Sequence, residues 1–319
     1  MSKLNKYSQT VTQDDTQPAA QAMLHAIGLS EDDFKKPIVG IASTGYEGNP
    51  CNMHLNKLAE DVKKGVCSTD TVGLIFNTIG VSDGISMGTD GMKWSLPSRE
   101  LIADSIETNI NAHFYDGAVI LPGCDKNIPA AIMAMARYNR PSFIIYGGST
   151  YPGKFKGQEL DIVSSFQSYA QYKSGEISNN KRQNIVKYSC PGPGSCGGMY
   201  TANTMASICE VMGLSLPNSS SNPALSEEKF QECRQSEKYI YNLLKIDLKP
   251  RDIITKSSIE NGIKLGLILG GSTNLVLHML AIAHSFDINL SLKDFERYHD
   301  IPLLLNLKPY GLYLMNDLH

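Results

Sequence analysis

The sequence predicts an α/β fold, a parallel sheet flanked by helices on both faces. Three observations predict it. Short apolar runs at 37–42, 71–78, 118–121 and 142–146 alternate with longer helical stretches, the pattern of strands joined by crossover helices. The run Ala118-Val119-Ile120-Leu121 is apolar throughout and reads as a buried strand. Turns rich in Gly and Pro, several carrying cysteine, stand where strands give way to helices. Such turns lie outside the carboxyl ends of the strands, where open α/β sheets bind ligands.

The 319 residues suffice for one large domain or two ordinary ones. With 42% hydrophobic and 19% charged residues, the composition is that of a soluble protein with a sizeable core. A net charge of −3 gives no reason to expect nucleic acid or an anionic membrane as partner. No apolar run reaches the roughly 18 residues of a membrane span, and residues 1–17 lack the apolar core of a signal peptide. The expected location is cytoplasmic. In that reducing compartment the seven cysteines are expected as metal ligands or buried thiols rather than disulfides.

In chain order, residues 1–17 read as a flexible arm. Residues 18–26 are Ala-rich and helical, with Gly28 placed to end the helix. A strand at 37–42 leads through a polar loop to Cys51 and a helix reaching residue 64. The strand at 71–78 precedes a loop holding Asp83, then a Gly/Met-rich loop at 87–92. Residues 97–112 form a helix with Glu100, Asp104 and Glu107 on its polar side. The strand at 118–121 ends in Pro122-Gly123-Cys124-Asp125-Lys126-Asn127, followed by a helix at 128–138. Residues 153–178 form a polar excursion with a helix at 160–172, and 179–184 read as a solvated, partly basic loop. The turn from Ser189 to Met199 precedes a helix at 200–212, and Ser226 caps a long amphipathic helix, 226–244. Gly270-Gly271-Ser272-Thr273-Asn274 precedes a helix at 275–285. Residues 294–298 start a short helix, and 307–319 read as the beginning of a linker. The expected domain is thus 18–306.

Cys51, Cys124 and Cys196 each precede a predicted helix beside a Gly- or Pro-containing loop, about 70 residues apart. Loops of that kind converge on one edge of a parallel sheet. Three converging thiolates suit an iron–sulfur cluster that leaves one iron open as a Lewis acid, whereas closed zinc sites usually show close Cys pairs, absent here. On spacing alone plain buried thiols are the leading reading. Asp83, Asp125 and Lys126 are candidates for a hard cation site; a turn aspartate and an exposed lysine are the plainer readings. Gly270-Gly271-Ser272-Thr273 is not a phosphate loop, because no Lys precedes the Ser. His54, His113, His278 and His284 read as structural. So do Cys67, Cys190, Cys209 and Cys233, with Cys190 the substitute should Cys196 fail.

Six stretches together resemble one known family. They are Pro50-Cys51-Asn52-Met53-His54-Leu55, Val81-Ser82-Asp83-Gly84-Ile85-Ser86-Met87-Gly88, the run at 95–105, Pro122-Gly123-Cys124-Asp125-Lys126, the run at 195–203, and Leu269-Gly270-Gly271-Ser272-Thr273-Asn274. They look like the dihydroxy-acid dehydratases, within the larger family of phosphogluconate and sugar-acid dehydratases, and the resemblance runs from about residue 7 to the end. It implies a hydro-lyase of valine, isoleucine and leucine synthesis that converts 2,3-dihydroxy-3-methyl acids to 2-oxo acids. It implies an iron–sulfur cluster on Cys51, Cys124 and Cys196, with [2Fe–2S] favoured over [4Fe–4S]. It also implies Mg2+ on Asp83, Asp125 and Lys126, the lysine as its carbamate. A homodimer is implied too. Such enzymes carry a C-terminal β-barrel domain that supplies a serine base and a further magnesium-binding glutamate. Both would lie beyond residue 319, so neither is assigned, and the chain is expected to be truncated and inactive alone. Cys67-Ser68 and Leu312 depart from the family pattern, where a Gly-rich turn and an Arg are expected. The rival readings are a sugar-acid dehydratase and a catalytically dead domain that binds metal or a partner. The three sulfurs are expected within about 8 Å of each other.

Overall fold

The computed structural model describes residues 4–68 and 70–319. Four parallel strands form the central sheet: β1 (Ile38–Ser43), β2 (Val72–Asn77), β3 (Gly117–Leu121) and β4 (Ser142–Ile144). Their spatial order is β2-β1-β3-β4. The chain therefore steps from β1 to one side and returns to its other side. That reversal opens a crevice between the loops after β1 and β3, and Cys51 and Cys124 follow those two strands.

Side chains of a strand alternate between faces, and each face has its own core. Val119 and Leu121 pack with Val39, Ile41 and helix Leu55–Val66, backed by helix Ser236–Ile246. Ala118 and Ile120 pack on the other face with helices Ser95–Ala112 and Asn127–Tyr138. Helices Thr201–Val211, Lys256–Ile268 and Asn274–Ser285 extend that second layer. Glu100 and Asp104, expected on the polar side of their helix, both receive Arg137 from the neighbouring helix. Gly28 ends helix Pro18–Ala26 at a φ of +95°.

Several expectations need correction. Residues 1–3 lie outside the described residues, but the rest of the supposed arm is docked. Asn5, Ser8 and Thr12 are buried, and Gln9–Thr12 is helical. The amides of Tyr7, Ser8 and Ile38 all donate to the buried Asp116 carboxylate, so one acid at the start of β3 ties the arm to β1. Residues 179–184 belong to helix Asn179–Tyr188, capped by the Ser178 hydroxyl and held by buried Ile185. The long helix is two, Glu227–Arg234 and Ser236–Ile246, which break at Gln235. The supposed linker packs as well: Leu307, Leu314 and Met315 are buried, and residues 307 and 313 pair as a parallel bridge. Cys67 and Cys190 are exposed, whereas Cys209 and Cys233 are buried thiols. His113 and His284 are exposed, while His54 and His278 are buried.

His278 is fully buried, with Nδ1 3.3 Å from Arg99 Nη1 and Nε2 without a partner among the described residues. Burial, aided by the Lys126 and Arg99 charges, pushes its imidazole down to about 3. The ring is therefore neutral in the folded chain, while the unfolded chain takes up a proton as pH falls through the ordinary histidine range. Stability from this residue is complete above that range and declines as pH drops toward about 3. Lowering pH from 7.5 to 5 should cost about 2 kcal/mol through His278. Denaturant titrations of wild type and His278→Gln at both pH values check this: the variant should lose that part of the pH dependence.

Candidate active site

Three loops meet at the carboxyl end of the sheet, and each is fastened to the other two. The Cys51 turn is closed by the Cys51 amide donating to Asn49 Oδ1 at 3.0 Å. Its neighbour Asn52 is fully buried and accepts the Cys124 amide at 3.1 Å. Asn52 Nδ2 donates to the Thr44 carbonyl at 2.7 Å and to Asn127 Oδ1 at 3.0 Å. Gly123 lets the two loops touch, since a Cβ there would sit 2.5 Å from the Cys51 carbonyl oxygen. In the third loop the Gly194 amide donates to the Pro50 carbonyl at 3.0 Å, and the Ser195 hydroxyl donates to the Gly123 carbonyl at 2.8 Å. Gly194 holds a φ of +118° with its backbone against Thr150, a place no side chain fits.

The fastening brings the thiols together. Cys51 lies within hydrogen-bonding reach of both Cys124 and Cys196, and those contacts together with burial hold its thiol well above the usual range. Cys51 and Cys124 are buried, and Cys196 is half-buried. Cys190 lines the same cavity but is exposed. A thiol binds metal as thiolate, so occupation of this site would expel protons.

The acidic residues stand beside the thiols. Asp83 is the first residue of helix Asp83–Ser86, which the Ser82 hydroxyl caps. Lys126 is not an exposed lysine: both it and Asp83 are only 4% accessible, and Lys126 Nζ meets Asp83 Oδ2 at 2.5 Å. The Ser95 hydroxyl donates to Asp83 Oδ1 at 2.6 Å. Burial first, then the Asp83 charge, push the Asp125 carboxyl up to about 6, against the pull of Lys126 and Thr201. Among the described residues no three His, Cys, Asp or Glu side chains are arranged to hold a single metal ion.

Cys51, Cys124, Cys196, Asp83 and Asp125 line one cavity of about 590 Å³. Thr201 and the turn at 272–274 complete its polar side. The remaining wall is apolar, built by Ile85, Met87 and Met92 and by Ile162, Val163 and Phe166 of the excursion helix Ile162–Lys173. Sequence reasoning missed that wall, together with Asn52, Ser195 and Thr201 as supports. The available signal was a polar residue beside each cysteine turn.

Removing Lys126 leaves Asp83 buried without its ion-pair partner, a change that typically costs about 3–5 kcal/mol. Lys126→Ala should therefore lower stability by about that much in urea titration, while Asp83→Asn/Lys126→Met, which removes both charges, should lose less.

Residues 36–319 match the family described as dihydroxy-acid/6-phosphogluconate dehydratase N-terminal. A dihydroxy-acid dehydratase of Flavobacterium psychrophilum is 59% identical over all of this chain, which covers 57% of that protein. A chloroplastic dihydroxy-acid dehydratase of Arabidopsis thaliana is 57% identical over 99% of the chain, and 52% of its own length is covered. For a dihydroxy-acid dehydratase of Francisella tularensis subsp. novicida the figures are 55%, 99% and 57%. The chain thus spans little more than half the length of these relatives. With a parallel α/β sheet and this similarity, the chain belongs to the N-terminal domain family of the dihydroxy-acid and 6-phosphogluconate dehydratases.

Proposed function

We propose that this chain is the cofactor-binding part of a dihydroxy-acid dehydratase acting in branched-chain amino-acid synthesis. In this reading Cys51, Cys124 and Cys196 hold an iron–sulfur cluster, [2Fe–2S] rather than [4Fe–4S]. Asp83, Asp125 and Lys126 hold Mg2+, with Lys126 as its carbamate. The observation that carries the reading is the single cavity with thiols and carboxylates on one side and an apolar wall on the other.

The donor chemistry supports both groups. Three thiols from separate loops would leave one cluster iron one protein ligand short. Asp83 and Asp125 are close enough for one charge to raise the other, a repulsion that a divalent cation relieves. The Lys126 ammonium opposes a cation, so the fit requires conversion of that amine to a carbamate. When bound, the two groups supply Lewis acidity toward the carboxylate and hydroxyls of a substrate. The chain's own residues do the rest. Ile85, Ile162, Val163 and Phe166 receive an alkyl branch, where each buried CH2 contributes about 0.8 kcal/mol. The same wall keeps water from the reacting carbons. Among the described residues no His, Glu or Lys lines the cavity, so no base is assigned to this chain.

A homodimer in the cytoplasm goes with this reading. Trp94 and Leu101 are exposed apolar side chains close in sequence, a surface that a second copy would cover.

Two assays test the proposal. In a full-length form, a 2,3-dihydroxy-3-methyl acid should exceed a sugar acid in kcat/KM by at least about 10-fold, the discrimination an apolar pocket gives per methyl group. Equal or reversed preference would favour the sugar-acid reading. The 319-residue chain alone, reconstituted anaerobically with Mg2+, should form 2-oxo acid about 10² to 10⁴ times more slowly than an enzyme with its base. Turnover near about 10 per second would place the base within these residues.

A further inference from the structure

We propose that Asp161 is the positioning residue of the cavity's apolar wall. It fastens helix Ile162–Lys173 to Tyr200 and Lys308, and so sets how closely Ile162, Val163 and Phe166 meet the tail of a bound acid. The proposal rests on the reading of the cavity as a substrate site.

Three residues of helix Ile162–Lys173 stand in that wall, yet apolar burial is a weak hold on the helix. Leu160 pins the chain that enters it, but within the helix the one buried residue is Ser168, and Phe166, Tyr169 and Tyr172 are exposed. The neighbouring helix Asn179–Tyr188 buries only Ile185. The stronger hold is Asp161, the residue before the helix, which is buried and bonds in three directions. Its Oδ1 accepts the Ser164 amide at 3.1 Å and the Ser164 hydroxyl at 2.8 Å, which caps the helix. Oδ1 also accepts Lys308 Nζ at 3.3 Å, and Oδ2 accepts the Tyr200 hydroxyl at 2.8 Å. Burial raises the Asp161 carboxyl, but the bonds from Tyr200 and Ser164 and the Lys308 charge outweigh it and hold it below the usual range. The acid is therefore charged at neutral pH, and bonds to it are roughly twice as strong as neutral ones.

Both outer partners are themselves held. A Cβ at Gly198 would stand 2.6 Å from the Tyr200 ring and 2.9 Å from its hydroxyl, so only glycine lets the ring lie where it meets Asp161. The Lys308 carbonyl accepts the Met199 amide at 2.7 Å, and the Lys308 amide donates to the Tyr313 carbonyl at 2.8 Å. Asp161 thus transmits the position of the Cys196 loop to the opposite wall. The lining holds Ile162 and Tyr200 but not Asp161 itself, which acts through those neighbours. An apolar pocket tells apart tails that differ by one methyl group only when its wall is in contact with that group, and a wall released at Asp161 gives up that contact.

The test gives a full-length form two substrates, a 2,3-dihydroxy-3-methyl acid and the same acid without its 3-methyl group. Wild type should favour the first in kcat/KM by at least about 10-fold. Asp161→Ala should remove most of that ratio, chiefly by raising KM for the branched acid. Tyr200→Phe keeps the ring and removes one bond, so it should lower the ratio by a smaller factor; it decides the matter should Asp161→Ala fail to fold. Asp161→Asn keeps an acceptor for the Ser164 amide and should recover part of the ratio. Hydrogen exchange on the 319-residue chain gives an independent readout. In Asp161→Ala the amides of 162–173 should exchange at least about 10-fold faster, with helix Leu55–Val66 unchanged. Both substrates slowed alike at an unchanged ratio, or unchanged exchange over 162–173, overturns the positioning role alone. A wild type without preference for the branched acid overturns the reading of the cavity and the proposal with it.

Discussion

The contact on which the site depends is that of the buried Asn52 amide with the loop after β3. One side chain accepts the Cys124 amide and donates to Thr44 and Asn127. It does so where β1 and β3 lie side by side, the reversal point of the sheet. A buried polar group is stabilising only when its partners are in place, so the Asn52 network has one arrangement. That arrangement sets the distance between Cys51 and Cys124. The third loop is then added through Gly194 and Ser195, which bond to backbone carbonyls of the first two. The thiols are carried by a backbone scaffold that was complete before any metal chemistry is considered.

The charges follow from that scaffold. Asp125 and Lys126 are neighbours in one turn, yet they face different surroundings. Lys126 reaches into the protein to Asp83, which Ser95 also bonds, whereas Asp125 lines the cavity. Burial raises the acid that has no cation of its own, and the paired acid is the source of further repulsion. The result is a negative face opposite an alkyl-lined one, with a sharp boundary between them.

Much of this was legible in the sequence. The four strands were, because apolar runs bounded by Gly, Pro and polar turns have few alternatives. The convergence of Cys51, Cys124 and Cys196 on one cavity also followed from their place at helix starts. Other features left no local trace. Helix Asn179–Tyr188 buries only Ile185, so its composition is that of a loop. The break at Gln235 contains neither Gly nor Pro. The arm is held by backbone amides on Asp116, over a hundred residues away, and 307–315 by backbone bonds to the Cys196 loop. Backbone partners have no residue signature. Asn52, Ser195 and Thr201 are ordinary polar residues in sequence, and only their burial against cysteine turns marks them.

The bonds around the Cys196 loop have a consequence for the order of events as the chain is made. The Met199 amide donates to the Lys308 carbonyl at 2.7 Å and the Met315 amide to the Gly197 carbonyl at 2.7 Å, so the residues just after Cys196 are clasped by a segment more than a hundred positions later. Long-range contacts of this kind form late because the intervening chain must first be closed. A ribosome that has released Cys51 and Cys124 has therefore not yet delivered what steadies the third thiol. A nascent chain that has not passed residue 315 offers the three thiols without the clasp, and under the proposed cluster reading loading would come after that point.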